Sequence, residues 1–242
     1  MRVLVLRPQV SAPGTAARLA ALGHSAVIVP LSAPVHDRDA TLAALAGRHS
    51  AITITSGEAA RVLQSLGDAL DRHLLTTVFA VGEATGRAAS EAGFRTVLAA
   101  ERSDGDSLAE LIVAHRRDHG VPADPLLYLA GFPRSSNFED RLDAAGVAHD
   151  TVECYRMEPI WPADDELRPA LVDDPVDAVL LYSRESTRRF FELPLVAEHL
   201  DRLERTIFLC ISRNVATAVP ERFSKSVVVS ATPDEAGLLD LL

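Results

Sequence analysis

Residues 52–61 read ITITSGEAAR, and residues 179–188 read VLLYSRESTR. Each stretch is a short apolar run, then a hydroxyl-bearing pair, then a polar segment with helical spacing. This order is typical of a buried strand that turns directly into an amphipathic helix. Similar pairs of runs recur along the chain, which predicts βα units built around parallel sheets.

Ten apolar runs are interpreted as strands, five in each half of the chain. They cover residues 2–6, 26–30, 51–55, 77–81, 96–98, 126–130, 151–155, 178–182, 206–211 and 226–229. Helical patterns fill most of the gaps, for example residues 15–22, 58–66, 83–92, 107–115 and 235–241. The sequence therefore predicts an α/β fold.

The two halves of the chain resemble each other. Arg18-Leu19 returns as Arg141-Leu142, residues 52–61 return as 179–188, and residues 77–79 return as 206–208. The separations of 123, 127 and 129 residues drift only slightly, which indicates an internal duplication. Periodicity leaves the domain boundary open. A tandem arrangement would divide the chain near Pro122, and an exchanged arrangement would pair the first two strands with the last three.

Composition limits the classes of partner and compartment. With 34 acidic and 24 basic residues the net charge is -10, which argues against binding of nucleic acid. A local arginine cluster could still bind a small anion. No apolar run approaches the ~20 residues of a membrane span, and the amino-terminal residues lack the pattern of a secretory signal. Both cysteines fall in strand-like runs, so we expect a cytoplasmic protein without disulfides.

Several kinds of catalytic or cofactor site are not indicated. The sequence contains no phosphate-binding G-x-x-x-x-G-K loop, no G-x-G-x-x-G after the first strand and no G-x-S-x-G elbow. His115 and His119 are four residues apart, but no further ligand completes a metal site. Cys154 is interpreted as a buried strand residue. We therefore expect neither a cofactor nor a metal.

An ordered series of short motifs resembles that of the uroporphyrinogen-III synthase family over essentially the whole chain. In chain order these are Arg7-Pro8, Thr55-Ser56, Gly82-Glu83-Ala84-Thr85, Gly131 with Arg134, Cys154-Tyr155, Tyr182-Ser183, Cys210-Ile211-Ser212 and Thr232-Pro233. One turn departs from the family pattern. There Ser212 stands in place of a glycine, and Val215 in place of a hydroxyl-bearing residue.

The resemblance implies two flavodoxin-like α/β/α domains that exchange strands. One would combine residues 1–33 with 157–242 and the other would be residues 34–156. Two extended crossings, at residues 32–36 and 156–162, would join them, and the substrate cleft would lie between them. The family precedent also suggests a monomer.

The resemblance further implies a lyase that acts on hydroxymethylbilane without a cofactor. Ring A would lose its hydroxyl as water, and the closing ring D would be inverted through a spiro intermediate to give uroporphyrinogen III. Because unaided closure occurs without inversion, positioning of the substrate would be the main catalytic contribution. A transient handover from hydroxymethylbilane synthase would fit this role. The alternative is a non-catalytic two-domain protein that binds tetrapyrroles or other anionic ligands.

Tyr155 matches the family tyrosine that assists departure of the ring A hydroxyl, and a protonated phenol can donate a hydrogen bond to that oxygen. The substrate's eight carboxylates require many donors, which helix N-termini and arginines can supply. The candidate binding residues are Arg7, Ser56, Gly57, Gly82, Thr85, Gly131, Arg134, Ser183, Arg184, Ser212 and Asn214, with Arg213 as a further arginine. Alternatively, the three serines only cap helices and the arginines are surface residues. Arg18, Arg61, Arg141 and Arg188 are interpreted as solvated or structurally ion-paired.

Overall fold

The structure, a computed structural model, describes all residues from 1 to 242. Its strands are β1 (Arg2–Val5), β2 (Ser25–Ile28), β3 (Ser32–His36), β4 (Ala51–Ile54), β5 (Val78–Ala80), β6 (Val97–Ala99), β7 (Leu126–Phe132), β8 (His149–Pro159), β9 (Ala178–Leu181), β10 (Ile207–Cys210) and β11 (Val227–Val229). Its α-helices are α1 (Ala12–Ala21), α2 (Arg38–Leu45), α3 (Gly57–Ser65), α4 (Glu83–Glu91), α5 (Gly105–His119), α6 (Asn137–Ala144), α7 (Asp164–Arg168), α8 (Arg184–Glu192), α9 (Pro194–Glu198), α10 (Arg213–Ala216) and α11 (Glu235–Leu239). Shorter helical turns cover Gly67–His73, Pro169–Asp173, Leu200–Leu203 and Glu221–Ser226.

The chain separates into two compact units. The first combines Met1–Ala33 with Glu158–Leu242, and the second is the continuous segment Pro34–Met157. The chain passes from one unit to the other within β3 and again within β8. We propose these two units as the domains of the protein.

The sheet of the first unit has the order β11-β10-β9-β1-β2, and all its ladders are parallel. Both of its faces are buried. On β1, Leu4 packs into a cluster with the β9 and β10 side chains of one face, whereas Val3 and Val5 pack on the other face against α1 and α11. A parallel strand covered on both sides is expected to be apolar along its buried length, as residues 3–5 of β1 and all of β9 are.

The sheet of the second unit has the order β3-β8-β7-β4-β5-β6, with parallel ladders from β8 to β6. Its strands also divide their side chains between two apolar clusters. Leu127 and Leu129 of β7 lie in one cluster, and Leu126 and Tyr128 lie in the other. The alternation of side chains along a strand produces this division.

Five strands of each sheet follow the same spatial pattern. In the first unit the order β2-β1-β9-β10-β11 is the flavodoxin-like 2-1-3-4-5. In the second unit β8-β7-β4-β5-β6 repeats this pattern in permuted form, because β7 and β8 come last along the chain and take the places of β1 and β2. The predicted α/β fold with parallel sheets is thereby confirmed, and the first two strands of the chain join the last three. The origin of the two halves by duplication stays a prediction.

The two segments predicted as extended crossings lie largely in β-strands. The sequence predicts a linker at residues 32–36, but these residues form β3, so the chain has eleven strands and not ten. Pro34 lies within β3, which is tolerated because β3 is the edge strand of its sheet. β8 is also longer than the predicted 151–155, since it continues to Pro159. None of the helices combines the length and the apolar character needed to cross a membrane.

Candidate functional site

In the second unit, Tyr155 and Gly131 face each other on neighbouring strands. The β7–β8 ladder shifts register after Ala130, so that Gly131 pairs with Tyr155. The phenol ring lies against the glycine so closely that a Cβ atom at position 131 would overlap it. Burial raises the pKa of the Tyr155 hydroxyl, although the Ser56 side chain opposes this shift. The phenol is therefore protonated at neutral pH and can donate a hydrogen bond.

The turn after β4 is shaped by a serine cap. The Ser56 hydroxyl accepts a hydrogen bond from the Glu58 backbone N–H at 3.1 Å, and Gly57 is the first residue of α3. The Glu58 carboxylate is buried and pairs with Arg61 Nη1 at 2.6 Å and His36 Nε2 at 2.7 Å. Capping by Ser56, expected from the sequence, is confirmed.

The turn after β5 brings Gly82 and Thr85 to the start of α4. Both residues are buried. A Cβ atom at Gly82 would overlap the Ser103 side chain, which explains the need for glycine at this position. Thr85 is a buried residue of the first turn of α4, so the backbone N–H groups at the amino end of this helix are the polar groups that this turn offers.

Arg134 follows β7 and is held by two carboxylates. Its guanidinium donates to both oxygens of Glu139, at 3.0 and 3.3 Å, and to Glu153 Oε1 at 3.2 Å. Burial alone would raise the pKa of the Glu139 carboxyl, but the hydrogen bonds from Arg134 bring it below its ordinary value. This arginine is thus an ion-paired group and not a free cation.

In the first unit, Ser183 and Ser212 cap the helices that follow β9 and β10. Ser183 accepts from the Ser186 N–H at 3.1 Å, and Ser212 accepts from the Val215 N–H at 3.4 Å. The next residues, Arg184 and Arg213, are exposed and form no ion pair, and Asn214 is likewise exposed. Arg184 and Arg213 are therefore free cations at the carboxyl edge of this sheet.

Arg7, which follows β1, belongs to a polar cluster that the sequence pattern does not predict. Its Nη1 atom lies 2.9 Å from Glu235 Oε1 and 3.2 Å from the Thr15 hydroxyl, and its guanidinium lies over the Tyr182 ring at 4.6 Å. Arg18 pairs with the other oxygen of Glu235. The structural ion pair expected for Arg18 is confirmed.

Two members of this cluster, Tyr182 and Glu235, occupy positions that local sequence patterns mark as polar. Tyr182 occupies the position in its repeat that Thr55 occupies in the other, directly after a buried strand. The Thr55 hydroxyl is itself hydrogen-bonded to the Tyr128 hydroxyl at 2.9 Å. Glu235 follows the helix cap Asp234, where an acidic residue is favoured by the helix dipole.

The thiols and histidines do not form reactive or metal-binding groups. Burial raises the pKa of Cys154 to about 12 and that of Cys210 to about 11, so both stay protonated. The His115 and His119 rings stack at a centroid distance of 4.2 Å. No group of three or more histidine, cysteine, aspartate or glutamate side chains is arranged to hold a metal ion.

A family model and solved structures both relate this chain to uroporphyrinogen-III synthases. A family model described as uroporphyrinogen-III synthase HemD matches residues 14–240. The fold resembles that of uroporphyrinogen-III synthetase from Helicobacter pylori, with 14% identity, a TM-score of 0.62, and 100% of this chain and 98% of that chain covered. It also resembles a mutant uroporphyrinogen III synthase from the extremely thermophilic bacterium Thermus thermophilus, with 22% identity, a TM-score of 0.51, and coverage of 99% and 96%. No curated protein matches the chain significantly.

Proposed function

The chain belongs to the uroporphyrinogen-III synthase family, and on this premise we propose how its residues close a linear tetrapyrrole. The enzyme is a lyase of haem biosynthesis that converts hydroxymethylbilane to uroporphyrinogen III with loss of water and inversion of ring D. The observation that carries this conclusion is the match of the family model to residues 14–240, nearly the full chain.

Tyr155 is the proposed catalytic residue. Departure of the ring A hydroxyl is assisted when a donor stabilises the negative charge that develops on the leaving oxygen. The phenol is protonated because burial raises its pKa. It is also fixed in place, because its ring fills the space beside Gly131. Tyr155 thus supplies an oriented hydrogen bond, and the rest of the rate enhancement comes from positioning.

The carboxyl edges of the two sheets are the proposed binding surfaces. In the second unit the candidate groups are Ser56, Gly57, Gly82, Thr85, Gly131 and Arg134. In the first unit they are Arg7, Ser183, Arg184, Ser212 and Asn214. The serines already cap helices, so the groups left to bind a carboxylate are the remaining backbone N–H groups and the exposed side chains.

The departure from the family pattern at residues 212–215 has a structural counterpart. Val215 is buried, and its N–H donates to Ser212. A hydroxyl contact from position 215 is therefore absent from the proposed site. Ser212 serves as a helix cap, and Asn214 offers an exposed amide beside it.

Isomer analysis tests this function directly. Freshly prepared hydroxymethylbilane is incubated with the protein, the products are oxidised, and the type I and type III isomers are separated. The proposed activity requires predominantly type III product. Type I product alone, as in the unaided reaction, would contradict it and would favour the binding-protein alternative.

We propose that the protein works in the cytoplasm. Because hydroxymethylbilane closes unaided to the wrong isomer, we further propose that the protein receives it by transient handover from hydroxymethylbilane synthase. A coupled reaction tests the handover. An excess of inactive hydroxymethylbilane synthase would compete for the protein and lower the yield of type III product. An unchanged yield would contradict direct transfer.

A further inference from the structure

Four donors converge on the carboxylate of Glu235 in the first unit. Oxygen Oε1 accepts from Arg7 at 2.9 Å, from the Tyr182 hydroxyl at 3.0 Å and from the Thr15 hydroxyl. Oxygen Oε2 pairs with Arg18. The Glu235 side chain is 19% exposed, so this saturated carboxylate still reaches the surface.

The donors lie where parallel sheets of this kind bind ligands. Arg7 follows β1 and Tyr182 follows β9, and these two strands are hydrogen-bonded neighbours. From β1 the chain proceeds to β2 on one side, whereas from β9 it proceeds to β10 on the other. The crevice outside the carboxyl ends of such a strand pair is the usual ligand position in an open α/β sheet.

Three of the donors, Arg7, Thr15 and Tyr182, also have contacts that do not involve Glu235. Thr15 is fully buried in α1, and the Arg7 guanidinium stacks on the Tyr182 ring at 4.6 Å. Neither Arg7 nor Arg18 has another carboxylate partner. Two guanidinium groups against one carboxylate leave a net positive charge, and without Glu235 the site would carry both charges uncompensated.

We propose that Arg7, Thr15, Arg18 and Tyr182 form a carboxylate-binding subsite, and that Glu235 occupies it until a carboxylate of the ligand replaces it. The identity of the ligand as a polycarboxylate tetrapyrrole rests on the proposed function. Leu238 and Leu239 anchor α11 in the core. The exchange therefore requires only the Glu235 side chain to turn outward.

This arrangement makes Glu235 an internal competitor. In the wild type, a ligand carboxylate must first displace Glu235, and this displacement lowers the observed affinity. Removal of the Glu235 charge is therefore expected to raise the affinity for the ligand. A purely structural role predicts the opposite outcome, since loss of the ion pairs would loosen Arg7 and Tyr182 and weaken binding.

The test uses uroporphyrin, a stable octacarboxylate, in a fluorescence titration that requires no turnover. Glu235→Gln is expected to tighten binding by about 5- to 10-fold, a typical coupling between two sites. The double variant Glu235→Gln with Arg7→Gln is expected to lose this gain. Glu221→Gln removes one exposed, unpaired acid of the same unit and is expected to leave the affinity unchanged. Equal or weaker binding by a folded Glu235→Gln protein would overturn the proposal.

A second variant covers the case in which Glu235→Gln does not fold. Glu235→Gly opens the subsite to small carboxylates, so millimolar acetate is expected to raise its Tm and not that of the wild type. No rise with acetate would overturn the subsite. Failure of the wild type to form type III product would instead contradict the proposed function and leave this stability result intact.

Discussion

The phenol ring of Tyr155 fills the space in which a side chain at position 131 would lie. Gly131→Ala is therefore expected to turn the ring away from its position. Overpacking of this kind costs about 1–3 kcal/mol, and loss of the oriented phenol should lower kcat by about 10-fold or more. Steady-state kinetics and thermal unfolding measure the two effects. Gly14→Ala is the control because no atom lies near its added methyl group, and an equal effect in both variants would contradict the assignment.

Tyr155→Phe removes the hydroxyl and keeps the ring. The rate is expected to fall about 10- to 100-fold, with type III still the main product, because positioning survives the substitution. Single-turnover kinetics with isomer separation provide the measurement. Tyr128→Phe, which loses only a hydrogen bond to Thr55, should reduce stability with little change in rate. A residual Tyr155→Phe rate equal to the unaided reaction would contradict this account.

Two arginines of α8 offer a matched comparison. Arg184 is exposed without an acidic partner, whereas Arg188 is held by Glu185 at 2.9 Å and Glu192 at 3.2 Å. If Arg184 binds a substrate carboxylate, Arg184→Gln should raise KM about 5-fold with kcat unchanged, since binding is lost equally in the ground and transition states. Arg188→Gln should leave KM near the wild-type value. Equal increases in KM would indicate a general charge effect.

The Glu235 cluster predicts a pH dependence of stability. Burial alone would raise the pKa of Glu235, but the Thr15 hydrogen bond and the Arg7 charge bring it below the ordinary 4.5. Because the pKa of Glu235 is lower in the folded protein than in the unfolded chain, its ionised form stabilises the fold above pH 4.5. This stabilisation is lost as the pH falls through the pKa of the folded state. Glu235→Gln should therefore lower Tm by about 2–6 °C at pH 7, and the difference from wild type should shrink below pH 4.5. A Tm difference that is constant from pH 3 to 7 would contradict this.

Local features of the site can be predicted from the sequence, and long-range ones cannot. Ser56, Ser183 and Ser212 are predictable as caps because capping depends on residues two or three positions away. The partner of Arg7 is more than 220 residues distant, and only the exchanged strand order brings Glu235 beside it. The sequence places Arg134 after a strand, and nothing in its spacing shows that Glu139 returns to it from α6.

The same distinction applies to the fold. Apolar runs predict the buried strands well, because burial on both faces leaves a continuous pattern. Residues 32–36 carry Pro34 and few apolar side chains, so their pairing at a sheet edge depends on a neighbouring strand and not on their own composition.

The strand order also affects the order in which the two units can fold during synthesis. β1 is synthesised early, yet its neighbour β9 begins only at Ala178, after the whole continuous unit Pro34–Met157 has been translated. Until β9 has been synthesised, β1 can pair only with β2, while the chain between β2 and β9 already holds all the strands of the other sheet. Pairing over such a distance along the chain is slow. We therefore expect the continuous unit to complete its sheet first and the discontinuous unit to complete its sheet last.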